Sequence, residues 1–424
     1  MKELPRRIYR RARWVLAFGT PAKRRDLNEV ARLTRLMIGD KLKGSRIIIV
    51  FVEELGFIQF LLPVVEELKR RSGRSISWYI ATEHSAHEDQ LAVFNVPAER
   101  RFHPGLAAAL LLADVFLSAS VYGKGPRTSL RINISHNQPT KFESYPKEHL
   151  RNYNVHFLTG PLHREQYEHM FVLHAMDLRQ IRLVNVGYPK SDALLQGRYD
   201  RRQVLEQLGL DPTRKTALYA PAWDAGGSLR TFGEQVIEQL LTLGDINVVV
   251  KLHPISYTER SNPSFEWYAG GVDWVERFRR FEADPRFKHV TSFQVDPLLV
   301  ASDVLVTDFS SVALEFMVLD KPVIYLDCPE YFEKTLKHPA YNSDPDYVRN
   351  DPKANAGRHA GVVVDDVAGL AAATGACLAQ PKAGSDDRRN LAATLLYNPG
   401  RGAEVAATTI LKMLGIPPKF TTQA

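Results

Sequence analysis

From Arg46 onward the chain alternates short runs of apolar, β-branched residues with segments long enough to form helices. Near-continuous apolar runs of this length are typical of strands buried on both faces of a parallel sheet, with helices covering those faces. The first half contains six predicted strands: Arg46–Val52, Ser77–Ala81, Val115–Ser118, Ile132–Ser135, Val155–Thr159 and Ile181–Val186. The pattern therefore predicts a doubly wound α/β domain.

The same pattern restarts in the second half. Six further strands are predicted: Thr216–Ala220, Asn247–Leu252, His289–Ser292, Asp303–Val306, Pro322–Leu326 and Gly361–Val364. The predicted fold is thus α/β with two Rossmann-like domains, which would face each other across a cleft at the carboxyl ends of their strands. We predict an arm over residues 1–45, domains over 46–195 and 196–385, and closing helices over 386–424. A polar segment, Pro339–Arg358, is predicted to be a loop or lid.

Composition fits this architecture. With 424 residues, of which 45% are hydrophobic and 24% charged, the chain has the size and core material for two globular domains. Two distant cysteines, Cys328 and Cys377, argue against a disulfide framework or a zinc site and favour a reducing compartment. No apolar run reaches the roughly 18 residues that span a bilayer, and the N-terminus lacks the features of a secretory signal. A cytoplasmic location is therefore expected.

Positive charge is concentrated at the N-terminus. Residues 1–46 contain 14 Lys or Arg against 4 Asp or Glu, although the whole chain has a net charge of only +7. A basic arm on a near-neutral body indicates a polyanionic surface, either anionic lipid or nucleic acid. The segment Arg6–Phe18 mixes arginine with Tyr, Trp, Leu and Phe, as interfacial helices do. We therefore predict peripheral attachment to the inner face of a membrane and no nucleic-acid partner, with a merely solvated terminus as the alternative.

Two histidines follow predicted strands, where open α/β sheets place function. His136 comes just after the strand ending at Ser135, and Lys141 follows five residues later. A histidine there can accept a proton near neutral pH and the lysine can meet a phosphate, although a loop histidine bonded to backbone is the plainer alternative. His253 closes the strand ending at Leu252, whereas the other His-Pro pairs, at His103 and His338, are predicted to lie in polar turns.

A third feature is the segment Thr307–Ser311, which precedes a predicted helix over Val312–Leu319. Serines at a helix start cap it or, where amide hydrogens stay unpaired, help to attract phosphate. Glycine-rich dinucleotide and P-loop motifs do not occur in the sequence. The acidic pairs at 344–346 and 365–366 could hold a divalent ion such as Mg²⁺, but solvated turns are the simpler interpretation, and no metal ligand is predicted.

These segments resemble the CDP-glycerol:poly(glycerophosphate) glycerophosphotransferases of teichoic-acid and capsule synthesis. The family's His-Gly-Thr-Pro-Leu-Lys, Gly-Tyr-Pro-Arg-x-Asp, Tyr-Ala-Pro-Thr, Lys-x-His-Pro and Thr-Asp-Tyr-Ser-Ser elements are similar to His136–Lys141, Gly187–Asp192, Tyr219–Ala222, Lys251–Pro254 and Thr307–Ser311. Their order and spacing agree over roughly residues 130–330.

The resemblance implies a GT-B architecture and a transferase that moves glycerol phosphate, or a related polyol phosphate, from a CDP-activated donor to a hydroxyl of a lipid-linked or polymeric acceptor. His136 would be the general base. His253 would stabilise the departing CMP. The donor-binding residues would be Ser310, Ser311, Asp308, Lys251, Pro221 and Lys141. Asp308 is expected to orient His253 or the ribose.

The chain also departs from the family pattern. Asn137 and Gln138 replace Gly-Thr, and Asp224 stands where the family often has Arg. The donor or acceptor can therefore differ from glycerol phosphate and a teichoic chain. Two other functions stay open: a GT-B glycosyltransferase using a CMP-sugar donor (sialic acid or Kdo), and a non-catalytic nucleotide-binding protein of the membrane surface.

Overall fold

The computed structural model describes residues 21–84, 86–136, 138–139, 147–177, 179, 181–338 and 345–417. Contacts divide them into two compact units. One comprises the described residues of Met1–Ile134, Arg151–His156 and Ala407–Ala424, and the other those of Ser135–Leu150 and Phe157–Ala406. The predicted boundary between residues 195 and 196 separates the two sheets along the chain, whereas the predicted domain limits stay a prediction.

The first sheet has seven strands in the order β3-β2-β1-β4-β5-β6-β7. Its strands are β1 (Arg46–Val52), β2 (Ile76–Thr82), β3 (Arg101–Phe102), β4 (Val115–Ser118), β5 (Leu130–Ile134), β6 (Val155–Leu158) and β7 (Arg182–Asn185). Strand β1 pairs in parallel with β2 on one side and with β4 on the other. Six of its seven residues are buried, as its apolar run predicts.

The second sheet has six parallel strands in the order β10-β9-β8-β11-β12-β13. Its strands are β8 (Lys215–Tyr219), β9 (Ile246–Val250), β10 (Phe287–His289), β11 (Val304–Thr307), β12 (Val323–Leu326) and β13 (Val362–Val364). Counted from its own first strand, this order is the 3-2-1-4-5-6 of a dinucleotide-binding fold. The chain changes direction across the sheet between β8 and β11, so a ligand is expected outside the carboxyl ends of these two strands.

Helices connect the strands, and short 3₁₀ turns occur between them. The helices are α1 (Pro21–Leu42), α2 (Ile58–Ser72), α3 (Glu88–Leu91), α4 (Lys147–Leu150), α5 (Pro161–Leu173), α6 (Asp192–Leu195), α7 (Arg201–Gln207), α8 (Ser228–Thr231), α9 (Glu234–Leu241), α10 (Phe265–Ala269), α11 (Trp274–Phe278), α12 (Asp296–Ala301), α13 (Val312–Met317), α14 (Pro345–Asn350), α15 (Ala356–His359), α16 (Leu370–Ala379), α17 (Ser385–Leu395) and α18 (Gly402–Leu414). Within the described ranges, no helix combines the length and the hydropathy needed to cross a bilayer.

The twelve predicted strands all form, with ends shifted by at most a few residues. The prediction missed β3, because a two-residue edge strand carries no periodic signal. The predicted loop Pro339–Arg358 is wrong in its described part, where α14 and most of α15 form. Its Asp, Asn and Pro residues suggested a loop, yet such residues are also compatible with the first turns of short helices. The helix predicted over Val312–Leu319 ends earlier, at Met317.

A glycine at the end of β6 sets the packing of one closing helix. A Cβ built on Gly160 would lie 2.2 Å from the backbone carbonyl carbon of Leu395, at the end of α17. No flexible side chain can move aside, because the obstacle is backbone. The position therefore admits only glycine without a shift of the helix.

We predict that Gly160→Ala lowers the free energy of unfolding by about 1–3 kcal/mol, the usual cost of overpacking. Gly375→Ala is the control, because this helical glycine meets nothing closer than the Leu243 side chain at 3.7 Å. That change should raise stability by up to about 1 kcal/mol, since alanine is the better helix former. Denaturant unfolding of both variants measures the difference, and equal stabilities would contradict the packing described.

Candidate functional site

A buried carboxylate organises the carboxyl ends of β8 and β11. Asp308 is only 1% exposed. Its Oδ1 accepts hydrogen bonds from the amides of Ala222 and Phe309, and its Oδ2 accepts one from the amide of Ser228, each at 2.7 Å. Burial raises the pKa of Asp308, and the hydrogen bonds to its carboxylate oppose that rise. Asp308 thus holds the loop after β8 against the turn after β11, which differs from its predicted role toward His253 or a ribose.

Pro221 lies in the loop that Asp308 fixes, and it is buried. The serines come directly after Asp308 and Phe309. Ser311 stands before α13, but its side chain makes no capping hydrogen bond and its backbone is already helical (φ −64°, ψ −16°). The hydroxyl of Ser311 therefore does not cap the helix, although capping was one of the two interpretations of this segment.

A cavity lies beside this turn, within the second compact unit. One wall comprises Asp308, Phe309, Ser310 and Tyr325, and Pro139, three residues after His136, also lines it. The segment 353–358 lines it as well. Two of the predicted chemical segments, the one that begins at His136 and the one around Asp308, therefore border the same cavity.

His136 lies two residues beyond β5, as predicted, and is partly buried. The hydroxyl of Tyr188 donates to its backbone carbonyl at 3.3 Å. Gln138 is buried, and its Oε1 accepts from the Thr159 hydroxyl at 3.2 Å. Lys141, the predicted phosphate ligand of this segment, lies outside the described residues.

His253 lies shortly after β9, directly before the turn that begins at Pro254, and its side chain is exposed. Its Nδ1 accepts a hydrogen bond from the amide of Ile255 at 3.2 Å, and Pro254 begins a short 3₁₀ helix. A neutral histidine that accepts at Nδ1 carries its hydrogen at Nε2, so this ring presents a donor to a ligand. A donor is what stabilisation of a departing phosphate requires.

The prediction placed His103 in a polar turn and missed the short strand that comes before it. His103 directly follows β3, and its Nδ1 accepts from the amide of Gly105 at 3.1 Å. Its backbone angles (φ −66°, ψ 134°) are close to those of His253 (φ −60°, ψ 138°). The geometry recurs because proline keeps the preceding residue extended and begins the short helix itself. Local geometry therefore does not distinguish the two histidines.

Lys251 does not project as a simple surface cation. It is 5% exposed, and its Nζ donates to the carbonyl of Leu252 at 2.6 Å. Burial, together with the neighbouring charge of Lys190, lowers the pKa of Lys251 to about 8. Its predicted contact with the donor stays a prediction.

Sequence reasoning assigned no role to Lys190, which is 6% exposed. Its Nζ lies 2.5 Å from Oε2 of Glu315, on α13, and 3.4 Å from Oδ1 of Asp296, on α12. Burial alone would lower the pKa of Lys190, but the two carboxylates raise it above its ordinary value. The lysine is therefore charged and ties two helices of the second sheet to the segment 187–192.

The same segment makes two further contacts. The carboxylate of Asp192 accepts from the amides of Gly402 and Ala403, at 2.9 and 2.7 Å, at the start of α18. Gly187 has φ 110°, and a Cβ there would lie 2.2 Å from the Tyr397 carbonyl oxygen. Tyr188 is hydrogen-bonded to His136, and Lys190 is bonded to Glu315. The six residues 187–192 therefore connect the His136 segment with α13 and α18.

The described part of the chain contains no evident metal centre. Within the described ranges, no group of three or more His, Cys, Asp or Glu side chains is placed to hold a metal ion. Asp344 of the first acidic pair lies outside those ranges. Asp366 of the second caps a 3₁₀ turn by accepting from the amide of Ala368.

The comparison with known proteins finds its match in the part of the chain that contains these segments. Residues 133–337 match the sequence model of the CDP-glycerol:poly(glycerophosphate) glycerophosphotransferases. Over these residues, the chain is similar to that family. The match includes His136, Lys190, His253 and the Asp308 turn, so the family resemblance is confirmed.

A teichoic acid glycerol-phosphate primase of Bacillus spizizenii is 26% identical over 152 residues, which is 35% of this chain and 35% of that protein. The matched part thus spans about a third of that glycerophosphotransferase relative. Among solved structures, the wall teichoic acid polymerase TagF superposes with a TM-score of 0.61 at 15% identity, covering 98% of both chains. A Listeria monocytogenes protein named as a putative UDP-N-acetylglucosamine 2-epimerase superposes with a TM-score of 0.55 at 13% identity, covering 89% of this chain and 100% of that one. The predicted α/β fold class with two Rossmann-like sheets is confirmed, and the predicted cleft stays a prediction.

We predict that Lys190→Met lowers the free energy of unfolding by about 3–5 kcal/mol, because it leaves the buried carboxylates of Glu315 and Asp296 without their cation. The control is Lys334→Met, which removes a lysine whose pair with Glu330 is more than half exposed. Such a surface pair contributes at most about 1 kcal/mol. Denaturant unfolding at pH 7 compares them, and a Lys190→Met variant as stable as the control would disprove the buried pairing.

Proposed function

We propose that the protein transfers glycerol phosphate, or a related polyol phosphate, from a CDP-activated donor to a hydroxyl of a lipid-linked or polymeric acceptor in the synthesis of a teichoic-acid-like or capsule polymer. One observation carries the proposal: the cavity is lined both by Pro139 of the His136 segment and by the turn Asp308–Ser310. Two motifs of the family, far apart in sequence, thus meet where an open α/β sheet binds its ligand. The names of the relatives, a glycerol-phosphate primase and a teichoic acid polymerase, support the same chemistry.

The reaction requires an acceptor hydroxyl to attack the phosphorus that carries the polyol. A bond forms from the acceptor oxygen to this phosphorus, the bond from phosphorus to the CMP oxygen breaks, and CMP leaves with the electron pair. His136 takes the proton of the hydroxyl. The Nε2 hydrogen of His253 and the hydroxyls of Ser310 and Ser311 donate to the phosphate oxygens, where negative charge grows. Positioning and charge stabilisation suffice for such a transfer, so no covalent intermediate is needed.

We predict that His136→Ala slows CMP release from CDP-glycerol by about 100- to 10,000-fold, the usual contribution of a general base, while donor binding stays near that of the wild type. The assay offers CDP-glycerol, other CDP-polyols, CMP-sugars and UDP-sugars with a soluble glycerol-phosphate oligomer, with and without Mg²⁺. It measures CMP release and product mass.

His253→Ala should also slow transfer in this assay, whereas His103→Ala should not. These two histidines share one backbone conformation and one Nδ1 hydrogen bond, so the pair separates a chemical role from a local structural one. Transfer by His136→Ala within a few-fold of the wild type would reject the base. Turnover of CMP-sugars with none of CDP-polyols would replace the proposed function by glycosyl transfer.

The proposal includes attachment to the cytoplasmic face of the membrane through the predicted arm. Residues 1–20 lie outside the described ranges, but α1 is described, and Leu27, Ile38 and Leu42 are 43%, 46% and 84% exposed on it. Their spacings of eleven and four residues place them on one side of the helix. Leu33 and Met37 of the same helix are fully buried. An exposed apolar stripe on a basic helix favours an anionic lipid surface.

We predict that the full chain binds vesicles containing anionic lipid at low salt and is released as salt rises, because screening weakens such contacts. Deleting residues 1–20 should weaken sedimentation with vesicles and leave transfer to the soluble acceptor intact. Ile38→Ser/Leu42→Ser should weaken it further. The proposed membrane attachment would be contradicted if the full chain did not bind anionic vesicles at low salt, or if it bound nucleic acid far more tightly than lipid.

A further inference from the structure

We infer that the segment 353–358 completes a phosphate-binding site, in which Arg358 and Tyr325 donate hydrogen bonds to a phosphate group of the ligand. Both residues line the cavity beside Ser310. Tyr325 belongs to the part that matches the family, whereas Arg358 lies beyond residue 337, where that match ends. The inference rests on the proposed function only for the identity of the ligand, a CDP-activated donor that would bring one phosphate group to these two side chains.

The described lining of the cavity is positively charged. Its cations are Lys353 and Arg358, and its acid is Asp308. The carboxylate of Asp308 is already occupied by three backbone amides. Lys353 and Arg358 are themselves paired, with Glu165 and Asp327, so what the lining offers an anion is the edge of Arg358 that its partner leaves unused.

Arg358 is held in place on several sides. Its Nη2 lies 2.5 Å from Oδ1 of Asp327, and its guanidinium carbon lies 5.6 Å from the ring centre of Phe309 and 6.0 Å from that of Tyr325. Its Nη1 is buried and has no hydrogen-bond partner among the described residues. A buried donor on a charged group is costly to leave unpaired, and a guanidinium held at one edge is suited to bind phosphate at the other.

Tyr325 supplies a second donor of this kind. The residue is 3% exposed, and its Oη is also buried without a partner in the described part of the chain. Burial raises the pKa of Tyr325, so the phenol keeps its proton and can donate it. The backbone of residue 357 can lie this close to the phenol only because the residue is glycine, since a Cβ there would lie 2.4 Å from Oη of Tyr325. Two unpaired donors in one cavity are what a single phosphate group can satisfy.

Lys353 is less suited to this role. Its Nζ lies 2.5 Å from Oε2 of Glu165 on α5, and both side chains are about half exposed. This pair ties the segment to α5 and already occupies the ammonium. The inference therefore assigns the phosphate contact to Arg358.

The test is calorimetric titration of the full chain with CDP-glycerol and, separately, with inorganic pyrophosphate. Tyr325→Phe removes only the hydroxyl, and a lost hydrogen bond to a charged group should weaken binding of both ligands by about 10- to 100-fold. Arg358→Lys keeps a charge opposite Asp327 and should weaken binding by a similar factor. The control is Tyr331→Phe, a buried tyrosine that stacks on Phe309 at 3.9 Å but does not line the cavity. It should bind within twofold of the wild type.

The melting temperature of the variants without ligand distinguishes a role in ligand binding from a structural role. Without ligand, Tyr325→Phe should melt at or above the wild-type temperature, since it removes a buried hydroxyl that has no partner. If Tyr325→Phe and Arg358→Lys bind both ligands as tightly as the wild type, the site is rejected even when transfer occurs. If the wild type binds pyrophosphate and the variants do not, yet CDP-glycerol yields no CMP, the site stands and the proposed function fails. A wild type that binds neither ligand rejects the site.

Discussion

The buried pairing of Lys190 with Glu315 is the constraint on which the candidate site depends. A lysine that is 6% exposed can keep its charge only beside carboxylates, and Glu315 and Asp296 lie on the two helices that flank β11. Glu315 is on α13, directly after Ser310 and Ser311. The neighbouring Tyr188 holds the backbone of His136. One buried ion pair thus fixes the start of α13 to the segment that also positions the predicted base.

Asp308 is a buried charge of the opposite sign, and it is stabilised by different partners. A buried carboxylate needs donors, and here they are backbone amides of the loop after β8 and of its own turn. Amides fix a loop without adding side chains that a ligand would have to displace. The loop after β8 and the turn after β11 are therefore rigid where the cavity begins.

Much of the fold was predictable because its strands are continuous apolar runs. Val115–Ser118 forms as predicted to the residue, and Arg46–Val52 does as well. The arrangement of strand ends also placed His136, His253 and Asp308 at the correct edge of their sheets. What the sequence could not provide were contacts between distant residues. Lys190 gives no sign that Glu315 faces it, and Asp308 carries no local signal that it binds Ala222 and Ser228.

The cavity is lined by residues inside and outside the stretch that matches the family, and this difference bears on donor choice. The turn Asp308–Ser310 lies inside the stretch that matches the family, while Lys353 and Arg358 lie outside it. On the proposed function, the transfer chemistry depends on the part inside the match, because His136, His253, Ser310 and Ser311 belong to it. Outside the match, Arg358 adds a cation that, on the inference above, binds together with Tyr325 the phosphate common to every activated donor without touching the group transferred. Selection among polyols must then depend on other residues of the site. Pro139 lines the cavity directly after Asn137 and Gln138, where this chain departs from the family's Gly-Thr.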